Sequence, residues 1–247
     1  MSLNSAAIRT GVERVLIDLP MKTVSYLDCR KALRRLRHAS GFEAALEAVF
    51  SPAMRFIRPL QSRMEIEGLL GEVARLRPST VVEIGTASGG TLFMLTRVAS
   101  ADATIVSIDL PGGAFGGGYP AWRAPLYRSF AKPGQRVHLL RRDSHDPATL
   151  EALRETLGGR RVDFLLIDGD HTYEGVRQDF EMYRTLVRPG GMIGFHDIVP
   201  HSAESGCEVN RFWNEIRESC DSVEIVENWG AQFGGIGLLR SYEQEKR

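Results

Sequence analysis

Val81-Val82-Glu83-Ile84-Gly85-Thr86-Ala87-Ser88-Gly89-Gly90 decides the architecture of this chain. The short apolar run reads as a buried strand. Gly85 permits a tight turn, and Gly89-Gly90 let a ligand approach the backbone where the next helix begins. Upstream, Met64, Ile66, Leu69, Leu70, Val73 and Leu76 recur at helical spacing, and Pro78 closes that helix. Downstream, Leu92, Leu95 and Val98 continue as a helix, and residues 103–108 form a second strand that ends at Asp109.

The alternation persists. Strands are expected at residues 137–140, 162–167 and 192–195, with helices at 150–157 and from His171 to Val187. The second of these helices is expected to stop at Arg188-Pro189-Gly190-Gly191. Five β–α units in succession imply a parallel sheet with helices on both faces. After one more helix (Val209, Phe212, Trp213, Ile216) come two strands, 222–226 and 235–239, with no helix between them. They read as an antiparallel hairpin.

The turn admits three readings. A dinucleotide fingerprint places its second glycine where Ala87 stands, and a phosphate loop needs a lysine where Thr91 follows Gly90. An acidic residue followed by G-x-x-x-G-G fits as written. Carboxylates at strand ends suit a ligand that carries an ammonium and a sulfonium rather than phosphates. Asp109 can accept hydrogen bonds from both ribose hydroxyls, and Asp143-Ser144 can bond an adenine amino group. Strand-end Asp and Ser also cap helices. Acids at three successive strand ends are harder to explain that way.

These segments resemble the class I S-adenosylmethionine-dependent methyltransferases over residues 61–239. The resemblance implies an α/β, Rossmann-like, seven-stranded, mostly parallel sheet of order 3-2-1-4-5-7-6. Its implied cofactor site comprises Glu83, Gly85, Thr86, Ala87, Ser88, Gly89, Asp109, Asp143 and Ser144. Two further clusters, Asp168-Gly169-Asp170-His171 and His196-Asp197, end neighbouring strands. They resemble the metal-assisted small-molecule O-methyltransferases, and the stretch 163–199 is most similar to the cephalosporin-hydroxylase-type branch. By the metal-assisted likeness Asp168, His196 and Asp197 would hold a divalent metal (Mg, Mn or another); the Asp-x-x-His spacing of Asp168 and His171 also resembles macrolide-sugar O-methyltransferases, by which His171 would be a general base with pKa near 7. An imidazole among the ligands suits magnesium poorly and manganese, iron or zinc better.

Two regions carry no motif. Residues 1–60 read as a helical extension, covering an acceptor or pairing two subunits into a homo-oligomer, ahead of a methyltransferase domain at 61–247. Within the extension, the basic run Arg30–His38 reads as a solvated helix face with Leu33 and Leu36 inward. The loop 110–122, with Phe115, Tyr119 and Trp122, reads as a lid or acceptor wall, opposed by 201–207.

Composition sets outer bounds. Hydrophobic residues make up 43%, charged residues 25%, and the formal net charge is zero. That balance gives no general attraction to nucleic acid or anionic membrane. Cys29, Cys207 and Cys220 show no metal-finger spacing and fit a reducing compartment, so cytoplasm is the expected location. The expected activity is methyl transfer from S-adenosylmethionine to a hydroxylated small molecule. An NAD-dependent oxidoreductase, a metal-dependent hydrolase and a non-catalytic cofactor-binding protein remain as alternatives.

Overall fold

The computed structural model describes residues 26–36, 42–115, 118–219 and 221–242. Two compact units meet in sequence between Arg58 and Pro59. In the first, residues 26–36 are helical (α1), followed by Glu43–Val49 (α2) and a 3-10 turn at Pro52–Met54. Cys29 is buried and its Sγ lies 3.9 Å from Met54 Sδ, while Leu33 and Leu36 are only half-buried. The arginines of α1 face solvent, as a basic helix face should; Arg37, His38 and Cys220 lie outside the described residues.

The second unit opens with the helix Arg63–Leu76 (α3). Ser62 Oγ accepts the Glu65 N–H at 3.2 Å and Glu65 Oε2 accepts the Ser62 N–H at 3.0 Å. Such a reciprocal cap is worth about 1 kcal/mol. Ile66, Leu69, Leu70 and Val73 are buried. Met64 falls off that stripe and is exposed, two positions from Ile66 rather than three or four. Arg77 turns left-handed at φ 49° and ends the helix before Pro78.

Seven strands follow: Thr80–Ile84 (β1), Thr104–Ile108 (β2), Arg136–Leu140 (β3), Val162–Ile167 (β4), Val187–His196 (β5), Asp221–Ile225 (β6) and Ile236–Tyr242 (β7). They form one sheet of order β3-β2-β1-β4-β5-β7-β6, with β7 antiparallel to both neighbours. This is the Rossmann-like order the sequence implied. Central strands β1, β2 and β4 are buried throughout, which explains their unbroken apolar runs; edge strands β3 and β6 are partly exposed.

The connecting helices are Gly90–Val98 (α4), Ala124–Arg128 (α5), Pro147–Leu157 (α6), Tyr173–Tyr183 (α7) and Val209–Ile216 (α8). Residues of α6, α7 and α8 share one core with Val82, Ile84, Val106 and Ile108. Val81, Glu83, Ile105 and Ser107, of opposite parity, point to the other face. Among the described residues, no helix is long and apolar enough to cross a membrane.

Two boundaries differ from expectation. The helix expected from His171 starts at Tyr173 because Thr172 caps it, its hydroxyl accepting the Gly175 N–H at 3.0 Å. His171 is thereby left in the loop that faces the sheet edge. Arg188-Pro189-Gly190-Gly191 does not stop that helix, which ends at Tyr183; the four residues belong to β5. A register shift between the Val162–Val187 and Phe164–Met192 pairings absorbs the extra residues of this stretch, and Arg188 Nε donates to Asp163 Oδ1 at 2.6 Å.

Candidate active site

The turn after β1 is fixed from below and behind. Gly85 adopts φ 84°, and a Cβ built there would lie 1.8 Å from the carbonyl oxygen of Asp168. Only glycine lets the ends of β1 and β4 approach this closely. The N–H groups of Thr86 and Ala87 both donate to Asp109 Oδ2 at 2.7 Å. Ala87 is left-handed at φ 42°, and its carbonyl accepts the Tyr127 hydroxyl at 2.8 Å. Gly89 precedes α4 at φ 88° with Tyr127 against it, so no side chain caps that helix terminus.

Asp109 therefore braces the turn with one oxygen while lining the cavity above it. Burial raises its carboxyl, and the N–H groups of Ala87, Thr86 and Tyr119 oppose that rise. Glu83 lies beneath the turn and lines neither cavity described below. Thr86 Oγ1 donates to its Oε2 at 2.6 Å, and Oε1 has no partner among the described residues. Burial pushes this carboxyl up to about 8.

Over the turn lies a cavity of about 280 Å³ lined by Gly85, Ala87, Asp109, Asp143, Ser144, His145 and Asp168, among others. A smaller hollow of about 70 Å³ adjoins it, lined by Leu60, Gln61, Thr86, Ser88, His171, His196 and Asp197. Gly85, Ala87, Phe115 and Asp168 border both. Concave sites at the carboxyl ends of parallel strands are where such sheets bind ligands. The expected cofactor residues other than Glu83 and Gly89 line one cavity or the other.

His145 was not expected. Its Nε2 lies 3.1 Å from the Gly175 carbonyl oxygen and 3.4 Å from Asp179 Oδ1, a carboxylate wholly buried in α7. The Asp179 carboxylate beside it outweighs burial and pushes His145 up to about 9. Because this lies above the unfolded value of about 6.5, the pairing stabilises the fold fully below pH ~6.5 and loses its contribution as pH rises through about 9. Denaturant titrations of wild type and His145→Gln should show their largest stability gap at pH 6 and a smaller one at pH 10.

The acids and imidazoles of the smaller hollow form one network. Asp168 Oδ1 lies 3.0 Å from His196 Nδ1 and 3.3 Å from His171 Nε2. Asp197 Oδ2 lies 3.0 Å from His171 Nδ1 and 3.5 Å from His196 Nδ1. The outer oxygens are occupied too: Gln61 Nε2 donates to Asp168 Oδ2 at 2.9 Å, and the Gly234 N–H to Asp197 Oδ1 at 2.8 Å. Asp197 holds a left-handed φ of 66°, a conformation that costs a non-glycine residue of order 1–3 kcal/mol. Phe115 stacks on the His171 ring at 4.9 Å and 13°.

The network sets the electrostatics of its members. Although burial pulls the His171 imidazole down, the carboxylates of Asp168 and Asp197 and the nearby Cys207 side chain push it up to about 12. At His196 burial likewise pulls down, and the carboxylates of Asp168 and Asp197 overcome it, so the imidazole is raised. Burial would raise both Asp carboxyls, yet the imidazoles hold them below the usual range. Both ring nitrogens of His171 thus face carboxylates, which favours its protonated form.

The loop expected to be a lid divides its aromatics. Phe115 reaches the site; Tyr119 is buried against Tyr127 at 4.6 Å; Trp122 is 56% exposed and packs on nothing in the site. Gly116 and Gly117 lie outside the described residues.

Residues 82–198 match a family model described as a methyltransferase domain. The structure is similar to an O-methyltransferase from Bacillus cereus solved with SAH, at 18% identity and a TM-score of 0.55, covering 85% of this chain and 90% of that one. It is also similar to the O-methyltransferase TomG of Streptomyces achromogenes, involved in tomaymycin synthesis and solved with SAM. There the identity is 18% and the TM-score 0.55, covering 81% of this chain and 89% of that one. An uncharacterized protein of Acanthamoeba polyphaga mimivirus is 34% identical over 125 residues, 48% of this chain and 51% of that protein. The match thus spans about half the length of that curated relative. Residues 82–198 are thus similar to a methyltransferase domain, and the sheet has the fold of the two solved O-methyltransferases.

Proposed function

We propose that this chain, with its methyltransferase domain at residues 82–198, moves the methyl group of S-adenosylmethionine onto a hydroxyl of a small molecule. The observation that carries the reading is the common border of the two cavities. A donor over the turn, with its adenine end toward Asp143 and Ser144, reaches the acid–imidazole network across Gly85, Ala87 and Asp168. In-line displacement needs donor and acceptor on opposite sides of the moving methyl, and alignment of that kind supplies much of the rate.

The acceptor hydroxyl enters the smaller hollow beside Asp168 and His171. Asp168 is held by Gln61 and orients the hydroxyl, while Phe115 fixes the plane of the His171 ring. Once Asp168 turns from His171 to the acceptor, the ring gives its Nε2 proton to solvent, and the neutral Nε2 then takes the hydroxyl proton while Asp197 keeps the Nδ1–H. The donors fit a divalent cation: Asp168 Oδ1, Asp197 Oδ2 and His196 Nδ1 lie within 4.8 Å of one another, and the outer carboxylate oxygens are already oriented. Such a cation would acidify the hydroxyl and draw carboxylate charge away from His171, returning that imidazole toward its ordinary range. The mixed nitrogen and oxygen set suits manganese, iron or zinc better than magnesium.

Thermal shift with SAH, NAD and divalent cations, each added alone, tests this. SAH at one hundred times its Kd should add about 2.7 kcal/mol, roughly 5–10 °C for a domain of this size. Stabilisation by NAD and not by SAH would overturn the reading.

A further inference from the structure

Cys207 has no part in the function proposed above. It sits between a 3-10 turn at Ala203–Ser205 and α8, where its N–H donates to Ser205 Oγ at 3.1 Å. The next residue, Glu208, donates its N–H to the His171 carbonyl at 2.8 Å. This segment is therefore pinned onto the His171 loop, which brings the Cys207 side chain beside the His171 ring. Ligand atoms of His171, Asp197 and Cys207 all lie within 4.8 Å of one another, with His171 Nδ1 3.0 Å from Asp197 Oδ2. Around a tetrahedral zinc, with metal–ligand bonds of about 2.0–2.3 Å, neighbouring ligand atoms stand roughly 3.3–3.6 Å apart.

A second observation points to the same place. His201 Nε2 is buried, lies 3.3 Å from Asp197 Oδ1, and has no hydrogen-bond partner among the described residues. A buried imidazole nitrogen without a hydrogen-bond partner, on the other oxygen of this carboxylate, is costly to leave so.

We propose that His171 Nδ1, Asp197 Oδ2 and Cys207 Sγ form a site for a thiophilic divalent cation of the zinc or cobalt kind. It is distinct from the oxygen-rich set of Asp168, His196 and Asp197. Sulfur, nitrogen and a single oxygen select borderline-soft metals, whereas two oxygens and one nitrogen favour harder ones. Asp197 Oδ2 is common to both sets, so one cation excludes the other.

Cobalt(II) titration of the reduced full-length protein reads the ligand set directly, because a thiolate ligand gives a charge-transfer band in the near ultraviolet. The band should saturate at one equivalent, vanish on adding zinc, disappear in Cys207→Ser and persist in Asp168→Asn. Loss of even a supporting contact to a metal ligand costs about 10–100-fold in affinity. Zinc binding to Cys207→Ser should therefore weaken by about 100-fold or more. SAH binding by that variant, unchanged from wild type, shows that the fold is intact. Cobalt binding without the band, absence of cobalt binding, or a band that survives Cys207→Ser would each overturn the site. A band lost in Asp168→Asn would overturn its independence from the oxygen-rich set.

Discussion

Gly85→Ala is expected to lower the melting temperature by roughly 6–12 °C and to abolish SAH binding. The backbone at this position is left-handed, which costs an L side chain about 1–2 kcal/mol. The added methyl also meets the Asp168 carbonyl oxygen at 1.8 Å. Forcing an extra carbon into packed structure typically costs a further ~1–3 kcal/mol. The total of about 3 kcal/mol or more sets the melting shift, at about 2–4 °C per kcal/mol. Relief requires the ends of β1 and β4 to part, which moves Thr86 and Ala87 off Asp109 and displaces Asp168 together. Calorimetry and SAH titration check both halves. A variant that melts normally and binds SAH would show that the two strand ends do not need their close approach.

His171→Ala should lower turnover by about 10²–10⁴-fold, the usual worth of a positioned proton-transfer group, while leaving SAH affinity within about twofold. The separation follows from the map of the site. His171 lines the smaller hollow and not the larger cavity, whereas Asp168 borders both. Asp168→Asn should therefore cost turnover and also weaken SAH binding. It keeps the hydrogen bond from Gln61 but removes the charge that holds both imidazoles. Single-turnover rates and SAH calorimetry on both variants make the comparison. Full turnover in His171→Ala would remove the imidazole from the mechanism.

Much of this was legible in the chain. Continuous apolar runs such as 162–167 mark strands buried on both faces, and the glycines after Ile84 mark where the first of them turns. The strand-end acids Asp109, Asp168 and Asp197 were each found because a carboxylate closing an apolar strand is conspicuous. What escaped has no local pattern. Arg188-Pro189-Gly190-Gly191 looks like a helix stop, yet long-range pairing with Val162 and the ion pair to Asp163 hold it in the sheet. Gln61 shows no sign in its neighbours that it will reach a carboxylate 107 positions away. The protonation of His171 depends on two carboxylates from different strands meeting one ring, which spacing along the chain does not reveal. His145 did have a signal, the third place in Asp143-Ser144-His145, but its partner Asp179 sits inside α7.

The first turn of α3 does more than begin a helix. Gln61 steadies Asp168, and Glu65, while capping its own helix, accepts the Gly235 N–H, whose neighbour Gly234 steadies Asp197. Two acids delivered by separate strands thus stand on a single footing. Slackening at that footing would blunt both acids together, so damage there would register as lost chemistry though neither Glu65 nor Ser62 touches a substrate.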